Sequence, residues 1–454
     1  MTDHISTGAP DGLEPPIQLA SDQTQYAFWE GEVELRQESR SQKGNARIIF
    51  CMHPAPEFRF EFVPHVVPSF LEAWFESELG EATMNCGPTF GEVICNVTNS
   101  GRNISGFLES QAGTLGDNAI AHKAVYIVIN GPHVHGGPVK RGTSSFTGRL
   151  QSSVHGHDIV VDALQSDPTQ RSVVYEPTHV ACCEFSIPVS LADIEKMRSH
   201  LFRVLSLMKC RWVGLLGPWI YDSSGTLIEV RLSVTKTMRN GGAIPWYHNM
   251  MRSSFDDFYK SMHSAFLDGT RGPALRTASH WLVESEQCAG GVEGAIILQQ
   301  SALECLAWLE IVLVRKLCSE SGFKSLPASD KIRWLLSLNK ISCDIPAKSA
   351  AINSYAKAFN LSNLVEVLAD VRNTLVHAEP RKAERLFSRT NGDEERSDLW
   401  YQVGGILQQA FLASVGYSGK MLRRDVSCEY ATQATKLVPW AEKSPPISDS
   451  TLSN

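Results

Sequence analysis

Asn240-Gly241-Gly242-Ala243-Ile244-Pro245 divides the chain into two rhythms. Upstream, from about Thr24 to Thr237, apolar residues recur with strand period. Glu57-Phe58-Arg59-Phe60-Glu61-Phe62 alternates cleanly, and Leu227 to Val234 puts Ile228, Val230, Leu232 and Val234 on one face. Arg47–Met52, Ala124–Asn130, Asp158–Leu164 and Val173–Phe185 read as further strands, separated by turn signals such as Asn99-Ser100-Gly101 and Gly136-Gly137-Pro138. One amphipathic helix interrupts them at about Leu191–Met208, entered through Ser190 with Asp193 and Glu195 in its first turns. Downstream, the apolar spacing becomes helical, with helices predicted at Phe255–Phe266, Leu275–Glu286, Val292–Cys318, Ser329–Leu338, Asn363–His377 and Leu399–Met421. The pattern defines an α+β chain: a β-rich, sandwich-like domain with one packed helix over residues 24–240, then an all-α bundle over 245–430. The polar ends, residues 1–23 and 440–454, read as disordered tails.

At 454 residues, with 43% hydrophobic and 20% charged content, the chain has the makeup of a folded, soluble protein of two to three domains. Its start lacks the basic, apolar and cleavage regions of a signal peptide. Ile296 to Val314 is the most apolar stretch, but Gln299, Gln300, Glu304 and Glu310 interrupt it, which favours a buried helix over a membrane span. Eleven scattered cysteines, without a CxxC pair, read as free thiols in a reducing, cytoplasmic setting. A net charge of −7 argues against broad coating of nucleic acid and leaves room for a local RNA site.

Asp370-Val371-Arg372-Asn373-Thr374-Leu375-Val376-His377 holds the most complete chemical proposal. An imidazole moves the proton of a ribose 2′-hydroxyl, and a guanidinium holds charge growing on phosphate, so the pair can cleave RNA without a metal. Spacing alone is uninformative, because Arg47 and His53, Arg59 and His65, and Arg149 and His155 repeat it in strand or loop segments. Context separates the last pair from these. On a helix, Asn373 and His377 lie about 40° apart, whereas Arg372 and His377 lie about 140° apart, so the arginine must curl round to join them. Leu364, Leu368, Val371 and Leu375 form the apolar stripe, which leaves the polar trio at its border. Pro380 ends the helix, placing His377 in a last turn whose dipole favours imidazolium. Arg381, Lys382 and Arg385, with Arg389 beyond, are candidate phosphate contacts; a solvated helix face is the alternative.

Arg372-Asn373-x-x-x-His377 resembles the signature of the HEPN superfamily, a helical domain of prokaryotic RNases, toxins and anti-phage defence proteins. Ala302-Leu303-Glu304-Cys305-Leu306 is similar to an early helix of its large two-domain branch, and Gly416-Tyr417-Ser418-Gly419 resembles the final helix. The β-rich half resembles, in architecture only, the partner domain of ApeA-like defence proteins. This resemblance implies a HEPN-type bundle that dimerises with itself and brings two motifs to a shared cleft, with no metal or other cofactor. Arg372 would stabilise the phosphorane, His377 would transfer protons, and Asn373 would orient them or the phosphate. Glu304 would orient Arg372 from behind or serve in a structural ion pair. RNA would be cut to a 2′,3′-cyclic phosphate and a 5′-hydroxyl, under the control of an unidentified trigger sensed by the N-terminal domain. A non-catalytic HEPN adaptor that dimerises and binds a ligand or partner is the alternative.

Other patterns point elsewhere. His133-Val134-His135 and His155-Gly156-His157-Asp158 could each clamp a transition metal, with Asp158 or Glu184 adding a carboxylate, although both pairs sit beside turn glycines where histidine is ordinary. Cys182 and Cys183 read as buried strand thiols. Phe58, Phe60, Phe62, Trp74, Trp212 and Trp219 read as core, with a ligand-binding face as the alternative.

Overall fold

The computed structural model describes residues 9–19, 24–37, 40–65, 80–100, 103–111, 120–154, 156–164, 174–249, 251, 253–288, 290–377, 386, 391–424 and 431–441. Two compact units follow the change of rhythm: Met1–Leu205 with Trp212–Gly242, and Ser206–Arg211 with Ala243–Asn454. The chain is α+β, β-rich first and helical second.

In the first unit, β1 (Gln25–Gln37), β2 (Arg40–Cys51), β3 (Glu57–Pro64), β4 (Glu81–Asn85), β5 (Glu92–Ser100) and β6 (Ile104–Gln111) close into a barrel in the order β1-β2-β3-β6-β5-β4. Closure depends on the length of β1, which pairs with β2 along its course and with β4 near its end. The alternation read in β3 is real: Phe58, Phe60 and Phe62 point inward, with Ile48 and Phe50 of β2 and Val93 and Cys95 of β5. Gly106 admits a close strand crossing, since a Cβ there would stand 1.9 Å from the Asn96 carbonyl oxygen.

A second sheet holds β7 (Ile120–Ile129), β8 (Gly137–Arg141), β9 (Ser144–Val154), β10 (His157–Ala163), β11 (Pro177–Ser190), β12 (Gly214–Tyr221) and β13 (Leu227–Val230). Its order is β13-β12-β7-β11-β10-β9-β8, every pair antiparallel. Val125, Ile127, Ile129, Val180, Cys182, Leu216 and Trp219 share one apolar cluster with the barrel interior. Strand β7 is buried on both faces along Ala124–Ile129, so Ala124, Tyr126 and Val128 are covered too. Helix α1 (Leu191–Lys209) is tied to this sheet by Arg198, whose Nη2 donates to the Leu215 carbonyl at 3.3 Å. The expected sandwich is therefore a barrel packed on a sheet. Alternation marks the buried face of a strand and says nothing about its partner.

Residues 9–19 correct the expectation of a disordered tail. Residues 10–13 lie along the edge of the second sheet, and Leu13, Ile17 and Leu19 pack against the apolar cluster. Arg141 and Arg149 bind the carbonyls of Leu13 and Asp11, each at 2.9 Å. The hydrogen bonds left no mark in the composition, because backbone atoms of the segment make them.

The second unit contains α2 (Ser254–Leu267), α3 (Arg271–Glu286), α4 (Gly291–Trp308), α5 (Glu320–Ser325), α6 (Ala328–Leu338), α7 (Ala350–Phe359), α8 (Leu364–Val376), α9 (Gly392–Ser414) and the short α10 (Ala431–Ala434). Helix α4 runs on into a π-helical stretch, Leu309–Val314. By length and composition, Gly291–Val314 could cross a membrane, yet 56% of its most apolar window is buried within the fold. Gln299, one of the polar interruptions, donates to the Trp400 carbonyl at 3.0 Å. Three short helices, α5, α7 and α10, escaped the periodicity reading. So did the hairpin of β14 (Lys420–Leu422) and β15 (Thr435–Leu437), which is too short to show a period. Gly416, at a φ of 78°, stops α9, so Gly416–Gly419 lies beyond that helix and not within it. At the far end, Trp440 leaves the expected tail and donates its Nε1–H to the Tyr417 carbonyl at 2.7 Å.

Candidate functional site

Helix α8 carries the trio. Its start is fixed by Asn363, whose Oδ1 accepts from the amides of Val365 and Glu366 at 3.1 and 3.0 Å. Glu366 reaches back to the amide and hydroxyl of Ser362 at 2.8 and 2.9 Å and pairs with Arg333 at 2.9 Å. These bonds hold the Glu366 carboxyl below its ordinary value, the backbone amide of Ser362 contributing most. Leu364, Leu368 and Val371 are buried and Leu375 partly so, as the predicted stripe requires, and α8 packs on α4, α6, α7 and α9. Thr374, also buried, turns its hydroxyl onto the Asp370 carbonyl at 2.9 Å.

The trio sits where that stripe ends. Arg372 is half-buried, whereas Asn373 and His377 are exposed. Arg372 Nη1 donates to Asn373 Oδ1 at 3.3 Å, and its Nε–H is shielded from solvent with no hydrogen-bond partner among the described residues. The helix stops one residue earlier than expected. His377 is its C-cap, with an extended backbone, and its amide still closes a turn onto the Asn373 carbonyl at 3.0 Å. Its side chain therefore leaves from helical position, on the Asn373 side.

Glu304 is not joined to Arg372. It accepts from Gln300 Nε2 at 2.9 Å and lies 3.9 Å from Lys331 Nζ, so of its two expected roles the structural pair is the one formed. Arg381, Lys382 and Arg385 lie outside the described residues, as do Pro380 and Arg389.

Two side-chain pairs escaped the sequence reading. The Tyr355 hydroxyl donates to Asp370 Oδ2 at 2.7 Å, clamping α7 to the helix just ahead of Arg372. Deeper in the unit, Glu286 and Arg424 form an ion pair at 2.6 Å, with side chains 1% and 3% exposed. Burial pushes the Glu286 carboxyl up, opposed by the pull of Arg424. Tyr355, Asp370 and Glu286 stood in the sequence only as a hydroxyl or a charge within a helix, and Arg424 lies outside any helix, so neither pair left a spacing to read.

His133 and His135 have ring centroids 4.9 Å apart, and His135 Nδ1 meets Thr147 Oγ1 at 3.1 Å. Among the described residues, no three His, Cys, Asp or Glu side chains come together as a metal site would need; His155 lies outside them. Cys182 and Cys183 are buried, and desolvation pushes the Cys182 thiol up to about 12. Neither is poised as a nucleophile. Phe58, Phe60, Phe62, Trp212 and Trp219 fill core, and Trp74 lies outside the described residues.

Fold and site together define a two-part α+β protein: a barrel-and-sheet unit, and a helical unit that presents Arg, Asn and His at one helix end. Residues 268–431, which include the whole trio and Glu304, match the family model of the YopA C-terminal domain. The chain is also similar to the SPbeta prophage-derived uncharacterized protein YopA of Bacillus subtilis (strain 168), 22% identical over 352 residues. That similarity covers 75% of this chain and 76% of the relative. No solved structure matches it.

Proposed function

We propose that the helical unit is a metal-independent endoribonuclease of the HEPN type, regulated by the β-rich unit in a defence or stress response. The observation that carries this reading is the Arg372–Asn373–His377 turn. Its imidazole is exposed, and its guanidinium is bonded to a neutral amide with no carboxylate partner among the described residues. A guanidinium left in that state is available to phosphate oxygens.

In the proposed reaction, His377 takes the proton from a ribose 2′-hydroxyl, and the 2′-oxygen attacks the adjacent phosphorus. The bond to the 5′-oxygen breaks, and that oxygen leaves with a proton, giving a 2′,3′-cyclic phosphate and a 5′-hydroxyl. Arg372 holds the charge on the non-bridging oxygens. Asn373 holds Arg372. The proton for the leaving group is assigned to His377 of a second copy across a shared cleft. The match of the site helix to a domain of a prophage-derived relative supports a setting that involves phage. Buried thiols at Cys51, Cys86, Cys95 and Cys182 support a cytoplasmic, reducing one.

The test is incubation of purified full chain with RNA in EDTA, beside Arg372→Ala and His377→Ala. The wild type should yield cyclic-phosphate ends, and each variant should lose about 100-fold or more in rate. DNA of the same sequence should stay intact, having no 2′-hydroxyl. Toxicity on overexpression should disappear with His377→Ala. Cleavage that both variants retain sinks the assignment. Absence of cleavage and of toxicity in the wild type would favour the non-catalytic adaptor.

A further inference from the structure

We infer that the open edge of the seven-stranded sheet is a peptide-recognition groove. In this structure the groove holds the chain's own residues 10–13, and it would accept an extended partner segment carrying glycine followed by a large apolar residue. The inference is independent of the ribonuclease reading, since every residue involved belongs to the barrel-and-sheet unit.

Strand β8 is the last strand of its sheet, and the segment adds to it in parallel at the Asp11–Lys140 bridge. Lys140 N donates to the Pro10 carbonyl at 2.9 Å, and Gly12 N donates to the Lys140 carbonyl at 2.7 Å. Three side-chain bonds complete the grip. Arg149 Nη2 donates to the Asp11 carbonyl, Arg141 Nη2 donates to the Leu13 carbonyl, and the Leu13 amide donates to Asp162 Oδ2, all at 2.9 Å. Asp162 has no exposed surface and is held by Arg149 through Nε and Nη2 at 2.7 and 2.6 Å. A carboxylate so placed is a built acceptor for a peptide amide.

All five bonds end on backbone atoms of the segment, so they read chain direction and extension and do not depend on its side chains. This is how strands are recognised by addition to a sheet edge. Two positions add selectivity. A Cβ at Gly12 would meet Arg141 Cζ at 3.0 Å, and Arg141 cannot swing aside freely because its Nε is bound to the Ala163 carbonyl at 2.9 Å. Leu13 packs against the apolar cluster, followed by Ile17 and Leu19. The pattern read is therefore glycine, then a large apolar residue, with further apolar residues four and six positions later.

Backbone pairing with β8 rests on one bridge, and Asp11 within it is exposed. Short edge additions open at lower cost than core strands. Once open, the groove presents an unpaired strand edge, which is a template for another extended chain.

The test uses the full chain. A double variant, Gly12→Val with Leu13→Asp, should release the segment and bind a fluorescent peptide of residues 9–19. Its affinity should exceed that of the wild type by at least about tenfold, because the wild-type segment competes at high effective concentration. Adding Asp162→Asn should remove that gain, and a peptide with valine in place of its glycine should not compete. A folded double variant that ignores the peptide overturns the inference. Self-association of the variant without peptide uptake would instead assign the groove to a second copy, and overturns it too. Hydrogen exchange on the wild type needs no substitution. The Gly12 and Leu13 amides should exchange faster than those of β10 and β11, and exchange only through global unfolding contradicts a removable segment.

Discussion

Glu286 and Arg424 are 138 residues apart in sequence and meet where both are almost fully buried. Arg424 Nη1 also donates to the Tyr401 carbonyl at 3.1 Å, and Gln408 Nε2 donates to Glu286 Oε1 at 3.2 Å. Gly404 is required beside them, since a Cβ there would stand 2.5 Å from Arg424 Nη1. Replacing Arg424 with Met strands a buried carboxylate and should cost about 3–5 kcal/mol, read from the urea midpoint. The double variant with Glu286→Met should recover part of that loss. A single-variant cost below about 1 kcal/mol would mean the pair is not buried as described. Arg372 and His377 present the opposite case, at the edge of their helix and partly or fully exposed. Their substitution to Ala should leave thermal stability within about 0.5 kcal/mol of wild type, so that a loss of cleavage reads as chemistry.

Helix α8 is the element that aims the proposed site, and its first turn holds it in register through Asn363, Glu366 and Ser362. Because the folded state lowers the Glu366 pKa, the carboxylate stabilises the fold above its ordinary value of 4.5. That contribution is lost as pH falls through the lower folded value. Glu366→Gln should therefore lower the melting temperature near about pH 7 and make little difference under strongly acidic conditions. An equal loss at both extremes would assign the effect to shape instead of charge. The same substitution should reduce RNA cleavage only indirectly, since Glu366 lies at the opposite end of the helix from His377.

At the scale of the whole molecule, one copy offers a single Arg–Asn–His turn in a protein of net charge −7. Under the proposed reading, the second imidazole comes from another copy. Cleavage per chain should then rise with protein concentration from about nanomolar to micromolar and level off once dimers saturate. A flat specific rate across that range, with monomers by light scattering throughout, would remove the shared cleft from the proposal.

Sequence alone determined the order of the chain's parts. Period-two alternation in Phe58–Phe62 and helical spacing in Leu364–Val371 are local consequences of burying one face, so each could be read without knowing any partner. The bounds of that helix, expected at Asn363 and His377 and found at Leu364 and Val376, were legible to within a residue. Tertiary structure decided what those faces meet. It closed six strands into a barrel, laid residues 10–13 along a sheet edge, turned Glu304 to Lys331 and paired Glu286 with Arg424. Each of these is a contact between residues distant in sequence or made through backbone atoms. Neither leaves a period in the chain, because their energy depends on position in space and not on spacing along the sequence.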